Sequence, residues 1–310
     1  MRHLLSLADL DQADFIELIE RSCQFEQTPY PQPKLVGRSI GIEFRKTSTR
    51  TRTSFAVAVV RLGAHPMIYG PADLQTNTGE SIEDTVKVLG GYLDALVIRT
   101  ASGHHELVQM AQADCLPIVN AMSALEHPTQ ALSDFAMMKR EFGALQDLRV
   151  VYVGEGNNTA VALALGASRI RGMNLELYLP PGFGLPSSVL KSVDQLSSQH
   201  GGQVRVAERP FDPQSGSKPV NVIYTTRWQT TGTNKSDHAW REKFAPYRVT
   251  AALLEQLATR AAPVFMHDLP AVRGEECDAS VLDGPNSIAF EQARQKMFTA
   301  MAVIDWCVAA

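Results

Sequence analysis

Phe44-Arg45-Lys46-Thr47-Ser48-Thr49-Arg50-Thr51-Arg52-Thr53-Ser54-Phe55 stands between an apolar run and an amphipathic one. Upstream, Ser39–Phe44 has the apolar content of a strand; downstream, residues 51–62 have the spacing of a helix. Between them lie four basic side chains and several hydroxyls. At a strand-to-helix junction, free backbone N–H groups and the helix dipole favour an anion. Ser and Thr hydroxyls add donors, and arginine supplies a planar fork matched to phosphate oxygens. A solvated basic turn with Ser/Thr capping is the plainer alternative. The density of donors at one junction favours phosphate.

Outward from this junction, short apolar runs alternate with longer amphipathic segments, the pattern of an α/β chain with parallel strands. Residues 67–69, 95–98 and 117–119 are predicted as strands, and residues 81–89 and 127–142 as helices. A second α/β unit starts near Leu148: a strand over Arg149–Val153, a turn over 154–158, a helix over 159–170 and a strand over 175–179. Residues 220–224 and 264–266 are further strand candidates, and residues 290–308 form a last helix. The domain boundary is expected within 138–148.

The chain has 310 residues, enough for two domains of roughly 150 residues each. Hydrophobic residues make up 45% and charged residues 20%, which excludes disordered, collagen-like and coiled-coil classes. No run approaches the roughly 18–20 apolar residues of a membrane span. Asp9, Asp11 and Asp14 follow closely on Met1-Arg2-His3-Leu4, so no signal peptide is expected. Net charge is −4 with no basic excess, which argues against a nucleic-acid partner. Cys23, Cys115, Cys277 and Cys307 are far apart and form no CxxC pair. They read as idle thiols of a reducing cytoplasm rather than a zinc site or disulfide framework.

Three segments together carry a family resemblance. Ser48-Thr49-Arg50-Thr51-Arg52 resembles the carbamoyl phosphate loop of the aspartate and ornithine carbamoyltransferases. Val97-Ile98-Arg99-Thr100 places an arginine after a strand, and His127-Pro128-Thr129-Gln130 resembles that family's His-Pro-x-Gln. Order and spacing match over essentially the whole chain, with the nearest likeness to the ornithine branch. The resemblance implies an α/β fold of two similar-sized domains, each a central, mainly parallel sheet flanked by helices. Residues 1–138 plus 287–310 would bind carbamoyl phosphate, with the C-terminal helix returning to this first domain. Residues 139–286 would bind the amino acid. The active site would lie in the cleft between them, where closure excludes water from a hydrolysable anhydride.

The chemistry gives these residue types a reason. A neutral amine attacks the carbonyl carbon of the mixed anhydride, a tetrahedral oxyanion forms, and phosphate leaves. Catalysis then rests on positioning and on donors aimed at the developing charge, and calls for no metal or cofactor. By resemblance, Ser48, Thr49, Arg50 and Thr51 hold the phosphate. Thr51, Arg99 and His127 polarise the carbonyl oxygen, and Gln130 accepts from the carbamoyl amide. Leu269 and Lys296 belong to the same half, although Lys296 stands where the ornithine branch has an arginine. The resemblance also implies a homotrimer with shared sites, in which Gln75, in the polar loop 71–79, reaches a neighbour.

The second half departs from the ornithine pattern. His267-Asp268-Leu269-Pro270 stands where that branch reads His-Cys-Leu-Pro, and its cysteine lies beside the reacting amine. A carboxylate at 268 would hold an ammonium, or take a proton from it. Thr226 replaces an acid, and Thr230-Thr231-Gly232 replaces Ser-Met-Gly. Thr226-Arg227-x-Gln229 is similar instead to the aspartate branch, whose Arg and Gln bind a carboxylate. Asn158 matches an ornithine-contacting asparagine.

The expectation is therefore a cytoplasmic carbamoyltransferase acting on an amine of an amino acid, a diamino acid other than ornithine such as 2,3-diaminopropionate. An authentic ornithine carbamoyltransferase and a catalytically silent carbamoyl phosphate binder are the alternatives. Gly154 and Gly156 before a helix, with Glu176 on the next strand, invite a dinucleotide site, but Thr159 stands where the third glycine belongs.

Overall fold

The computed structural model describes residues 1–100, 103–214, 218–230, 235–236, 239–258 and 261–308. Two compact units divide the chain: Met1–Arg140 with Arg294–Ala310, and Glu141–Ala293.

The first unit runs α1 (Gln12–Gln27), β1 (Ser39–Phe44), α2 (Arg50–Arg61), β2 (His65–Tyr69), α3 (Ile82–Gly90), β3 (Ala95–Arg99), α4 (His104–Gln112), β4 (Ile118–Met122) and α5 (Pro128–Phe142). Its sheet has the order β2-β1-β3-β4, every pair parallel. β3 is buried along its whole length, the condition under which a parallel strand reads as a continuous apolar run. β2 lies at the edge and exposes Met67 and Ile68. The strand order reverses between β1 and β3, so the crevice beyond their C-terminal ends is where an open α/β sheet takes a ligand.

The second unit runs β5 (Arg149–Val153), α6 (Asn158–Ser168), β6 (Asn174–Tyr178), α7 (Ser187–His200), β7 (Gln203–Ala207), β8 (Val222–Thr225), α8 (Trp240–Phe244), α9 (Ala251–Ala258), β9 (Val264–His267) and α10 (Ala279–Leu282). Its sheet is also fully parallel, in the order β7-β6-β5-β8-β9, and reverses between β5 and β8. The last helix, α11 (Ala289–Val308), belongs from Arg294 onward to the first unit. There Trp306 Nε1 donates to Asp14 Oδ1 at 2.9 Å, and Arg21 pairs with the buried Asp305 at 2.7 Å.

The α/β class, the two parallel sheets and the returning helix agree with expectation. α1, α4, α7 to α10 and β7 have no counterpart among the elements expected from the sequence. β7 is an edge strand that exposes Gln203, Arg205 and Val206, so it lacks the apolar run that marks its neighbours.

The glycine-rich turn and Glu176 find structural explanations. A Cβ on Gly156 would stand 2.7 Å from the Phe183 carbonyl oxygen and the Gly184 carbon, so this glycine permits two backbones to touch. Glu176 pairs with Arg149 (2.8 Å to Nε) and accepts from Tyr178 Oη (2.8 Å).

Candidate active site

In the first unit, four features converge on the β1–β3 crevice. Phe44 and Arg99 are register partners, so the loop leaving β1 and the end of β3 emerge together. A register shift between Ile98 and Arg99 breaks the β3–β4 ladder there and re-aims the Arg99 side chain. α2 then opens at Arg50. Thr49, which flanks it, makes no side-chain cap hydrogen bond, while Ser48 Oγ accepts the Arg52 N–H at 3.3 Å. Thr51 is buried in the first turn.

Arg45 leaves the cluster of four basic side chains. Its Nε bonds Glu43 at 2.5 Å and its Nη1 bonds Glu106, which also accepts from Thr100 Oγ1. Both carboxylates are buried, so Arg45 is neutralised internally. The pairing spans 61 residues, which is why the local sequence gave no sign of it.

Arg99 is the opposite case. It is 6% exposed, yet no carboxylate of the described residues pairs with it. Burial, and then the nearby Arg50 cation, pull its pKa below the usual guanidinium value. Two neighbouring guanidiniums, one of them buried and unpaired, are costly until an anion joins them.

His127 stands just before α5 and is 5% exposed. Burial, followed by the charges of Lys296 and Arg99, holds its pKa well below 6.5, so the ring is neutral. Its Nδ1 lies 3.4 Å from Thr129 Oγ1. Gln130 donates to Asp134 Oδ1 at 2.8 Å and its Oε1 accepts from Lys296 Nζ, which fixes the amide's orientation. Lys296, on α11, is buried beside this group. Arg50, Arg99, His127, Gln130 and Lys296 thus come together. Gln75 does not join them: it is exposed in a 3₁₀ turn, and its Oε1 accepts from Thr78 Oγ1 at 2.6 Å. Leu269 lies in the second unit.

In the second unit, Val153 is the register partner of Thr225, and Thr225 of His267. The segments after β5, β8 and β9 therefore leave the sheet side by side. Asp268 follows β9. Its carboxylate accepts from Thr159 Oγ1 at 2.8 Å and from Thr226 Oγ1 at 3.0 and 3.1 Å. No lysine or arginine of the described residues pairs with it. His267 Nδ1, 3.5 Å away, already accepts the Leu269 N–H at 2.8 Å, and Nε2 faces Glu276 Oε1 at 3.2 Å. Both nitrogens are engaged, so the cluster of His267, Glu276 and Cys277 is a hydrogen-bonded support for the loop rather than a metal site. The Cys277 thiol is pushed up to about 12 by burial and by Glu276. The Leu269–Pro270 bond is cis.

Asn157 caps α6, accepting the N–H groups of Thr159 and Ala160 at 3.0 and 3.2 Å. Its amide nitrogen donates to Thr226 Oγ1 (3.3 Å) and Thr230 Oγ1 (3.4 Å). Thr230 donates in turn to Glu155 Oε2 at 3.1 Å. Asn158 is the buried first residue of α6, and Gln229 is half-buried after β8. Arg227 is half-buried, and its Nε is shielded from solvent with no hydrogen-bond partner among the described residues. Thr231 lies outside the described residues. Thr159, Asn157, Glu155 and Lys235 were missed from the sequence. The only local signal was the capping asparagine before an apolar helix.

Family models cover both units. Residues 2–140 match the aspartate/ornithine carbamoyltransferase carbamoyl-P binding domain, and residues 146–307 match the Asp/Orn binding domain of the same family. An ornithine carbamoyltransferase of Methanothermobacter thermautotrophicus is 34% identical over 306 residues, 99% of this chain and 98% of that protein. One from Acidothermus cellulolyticus is 36% identical over 311 residues, 100% of this chain and 97% of the other. Among solved structures, the ornithine carbamoyltransferase of Pyrococcus furiosus superposes with a TM-score of 0.90 at 32% identity, covering 100% of this chain and 97% of that one. The names of these relatives point to ornithine and give the shorter diamino acid no support.

Proposed function

Because the chain belongs to the aspartate/ornithine carbamoyltransferase family, and is a carbamoyltransferase, we propose that its first unit holds carbamoyl phosphate and its second unit the accepting amino acid. The observation that carries this assignment is Arg99, a buried cation beside Arg50 with no carboxylate partner among the described residues. Ser48, Thr49, Arg50 and Thr51 take the phosphate oxygens. Thr51, Arg99 and the N–H of neutral His127 polarise the carbonyl oxygen, where charge grows as the amine adds. Gln130, oriented by Lys296 and Asp134, accepts from the carbamoyl amide. The amine nitrogen bonds to the carbonyl carbon, the bond to the phosphate oxygen breaks, and the nitrogen's proton passes to the departing phosphate. No step asks for a metal.

The names of the relatives favour ornithine as the acceptor. One observation favours a second reading: among the described residues, Asp268 is cradled by two threonine hydroxyls without a lysine or arginine, and Arg227 Nε, on the segment beside it, has no hydrogen-bond partner. An ammonium on Asp268 and a carboxylate on Arg227 suit a shorter diamino acid such as 2,3-diaminopropionate. Mass spectrometry of reactions with carbamoyl phosphate and ornithine, 2,4-diaminobutyrate, 2,3-diaminopropionate, lysine, putrescine or aspartate decides the matter. Efficient citrulline formation supports ornithine and removes the second reading. Preference for a short diamino acid supports the second. No product from folded protein with any of these amines overturns both.

The assembly we propose is a homotrimer in the cytoplasm, with Gln75 completing a neighbour's phosphate site. Gln75 is exposed, β2 leaves Met67 and Ile68 bare, and α2 exposes Val57 and Val60. No helix among the described residues is long and apolar enough to cross a membrane.

A further inference from the structure

Lys235 carries its charge into an aromatic cage. Its Nζ lies 5.4, 5.1 and 5.2 Å from the ring centroids of Phe183, Trp240 and Phe244. It donates to the Trp228 carbonyl at 2.6 Å and pairs with Glu155 Oε1 at 2.8 Å. The side chain is 7% exposed. Ring faces attract an ammonium within about 6 Å, but packing three aromatic rings does not itself require a charge.

Glu155 links this cage to the acceptor residues. Its other oxygen accepts from Thr230. Because carboxylates only accept, the proton directions along the string are forced. The Asn157 amide donates to Thr230 and Thr226, Thr230 donates to Glu155, and Thr226 donates to Asp268. The string therefore joins two carboxylates. Lys235 neutralises Glu155, while Asp268 has no lysine or arginine partner among the described residues.

We propose that Lys235 is a positioning residue whose caged ammonium decides which carboxylate remains for the acceptor. By occupying Glu155 it holds Thr230 and Asn157 in the orientation that turns Thr226 toward Asp268, and Asp268 alone is left to receive the acceptor's ammonium. The proposal rests on the carbamoyl-transfer function above. Without Lys235, the pocket has two negative positions and a cage open to a foreign cation.

The test is Lys235→Ala, with the lost atoms returned as propylammonium. Hydrogen exchange of residues 226–230 is expected to quicken in the variant and to slow again with propylammonium, but not with propanol. The acceptor KM is expected to rise at least about tenfold, the scale of one lost charged hydrogen bond, with kcat and the carbamoyl phosphate KM nearly unchanged. Propylammonium should lower that KM. Lys235→Met, which fills the cage without charge, should show the raised KM and no rescue. Unchanged exchange and KM in Lys235→Ala overturn the proposal, as does a loss that propylammonium fails to reverse or wild-type behaviour of Lys235→Met. If the unmodified enzyme carbamoylates no amine, the functional assignment falls, while the exchange measurement still decides the role of Lys235.

Discussion

Asp268 is the sharpest single-residue test of the proposed acceptor site. Its carboxylate accepts from Thr159 and Thr226, and no lysine or arginine of the described residues pairs with it. Asp268→Asn should raise the acceptor KM by roughly 10–100-fold, the value of a charge-assisted hydrogen bond, and leave the carbamoyl phosphate KM in place. Steady-state kinetics in both substrates checks this. His127 carries a different signature. Its pKa is depressed in the folded protein, so above pH 6.5 both folded and unfolded forms are neutral and it contributes no slope. As pH falls from 6.5 toward the lower folded value, the unfolded chain binds the proton more readily and stability drops. Urea unfolding between pH 7.5 and about pH 5 should show that loss, and His127→Asn should flatten it. At this scale the anion-loop pattern of residues 44–55 was legible, because a strand, a donor-rich loop and a helix follow one another in sequence. The departure at Asp268 was legible too, since His267 and Leu269-Pro270 frame it. Its threonine partner was not, because Thr159 lies 109 residues away.

α6 ties its own N-terminus to the proposed acceptor residues through a single cap. The Asn157 carbonyl oxygen closes the helix N-terminus, while its amide nitrogen supplies Thr226 and Thr230. The two roles separate by substitution. Asn157→Ala loses both and should cost about 1 kcal/mol of stability. Asn157→Asp keeps the cap oxygen and should unfold near the wild-type denaturant midpoint. However, it cannot donate to either threonine and brings a negative charge toward Asp268, so the acceptor KM should rise in both variants. Thermal or urea melts beside kinetics distinguish the cases. Elements with continuous apolar runs, such as β3 and β5, were evident from sequence. β7 was not, because an edge strand need not be apolar on both faces. The ion triad of Arg45 with Glu43 and Glu106 was likewise hidden, since it joins β1 to α4.

At the scale of the whole molecule, the exposed residues of β2 and α2 allow the proposed trimer to be tested. Light scattering should give three times the 33.9 kDa chain mass. Met67→Lys combined with Ile68→Lys should give a single-chain mass without unfolding. If Gln75 serves a neighbour, Gln75→Ala and Arg50→Ala should each be nearly inactive alone. Mixed trimers should regain activity, because some sites then inherit neither change. The two-unit α/β class was readable from alternating patterns and length. The order of the strands was not, because register and adjacency depend on contacts between distant segments.

Both sheets are parallel throughout, so every candidate residue that follows a strand, from Ser48 to Asp268, follows its C-terminal end. On the second sheet's opposite rim, the exposed Arg171 lies in the turn ahead of β6. For surface immobilisation this is a convenient polarity. A tether fixed at Arg171 attaches at the rim away from the acceptor loops of its sheet, so the enzyme can be anchored to a support in one orientation with its chemistry left in solution.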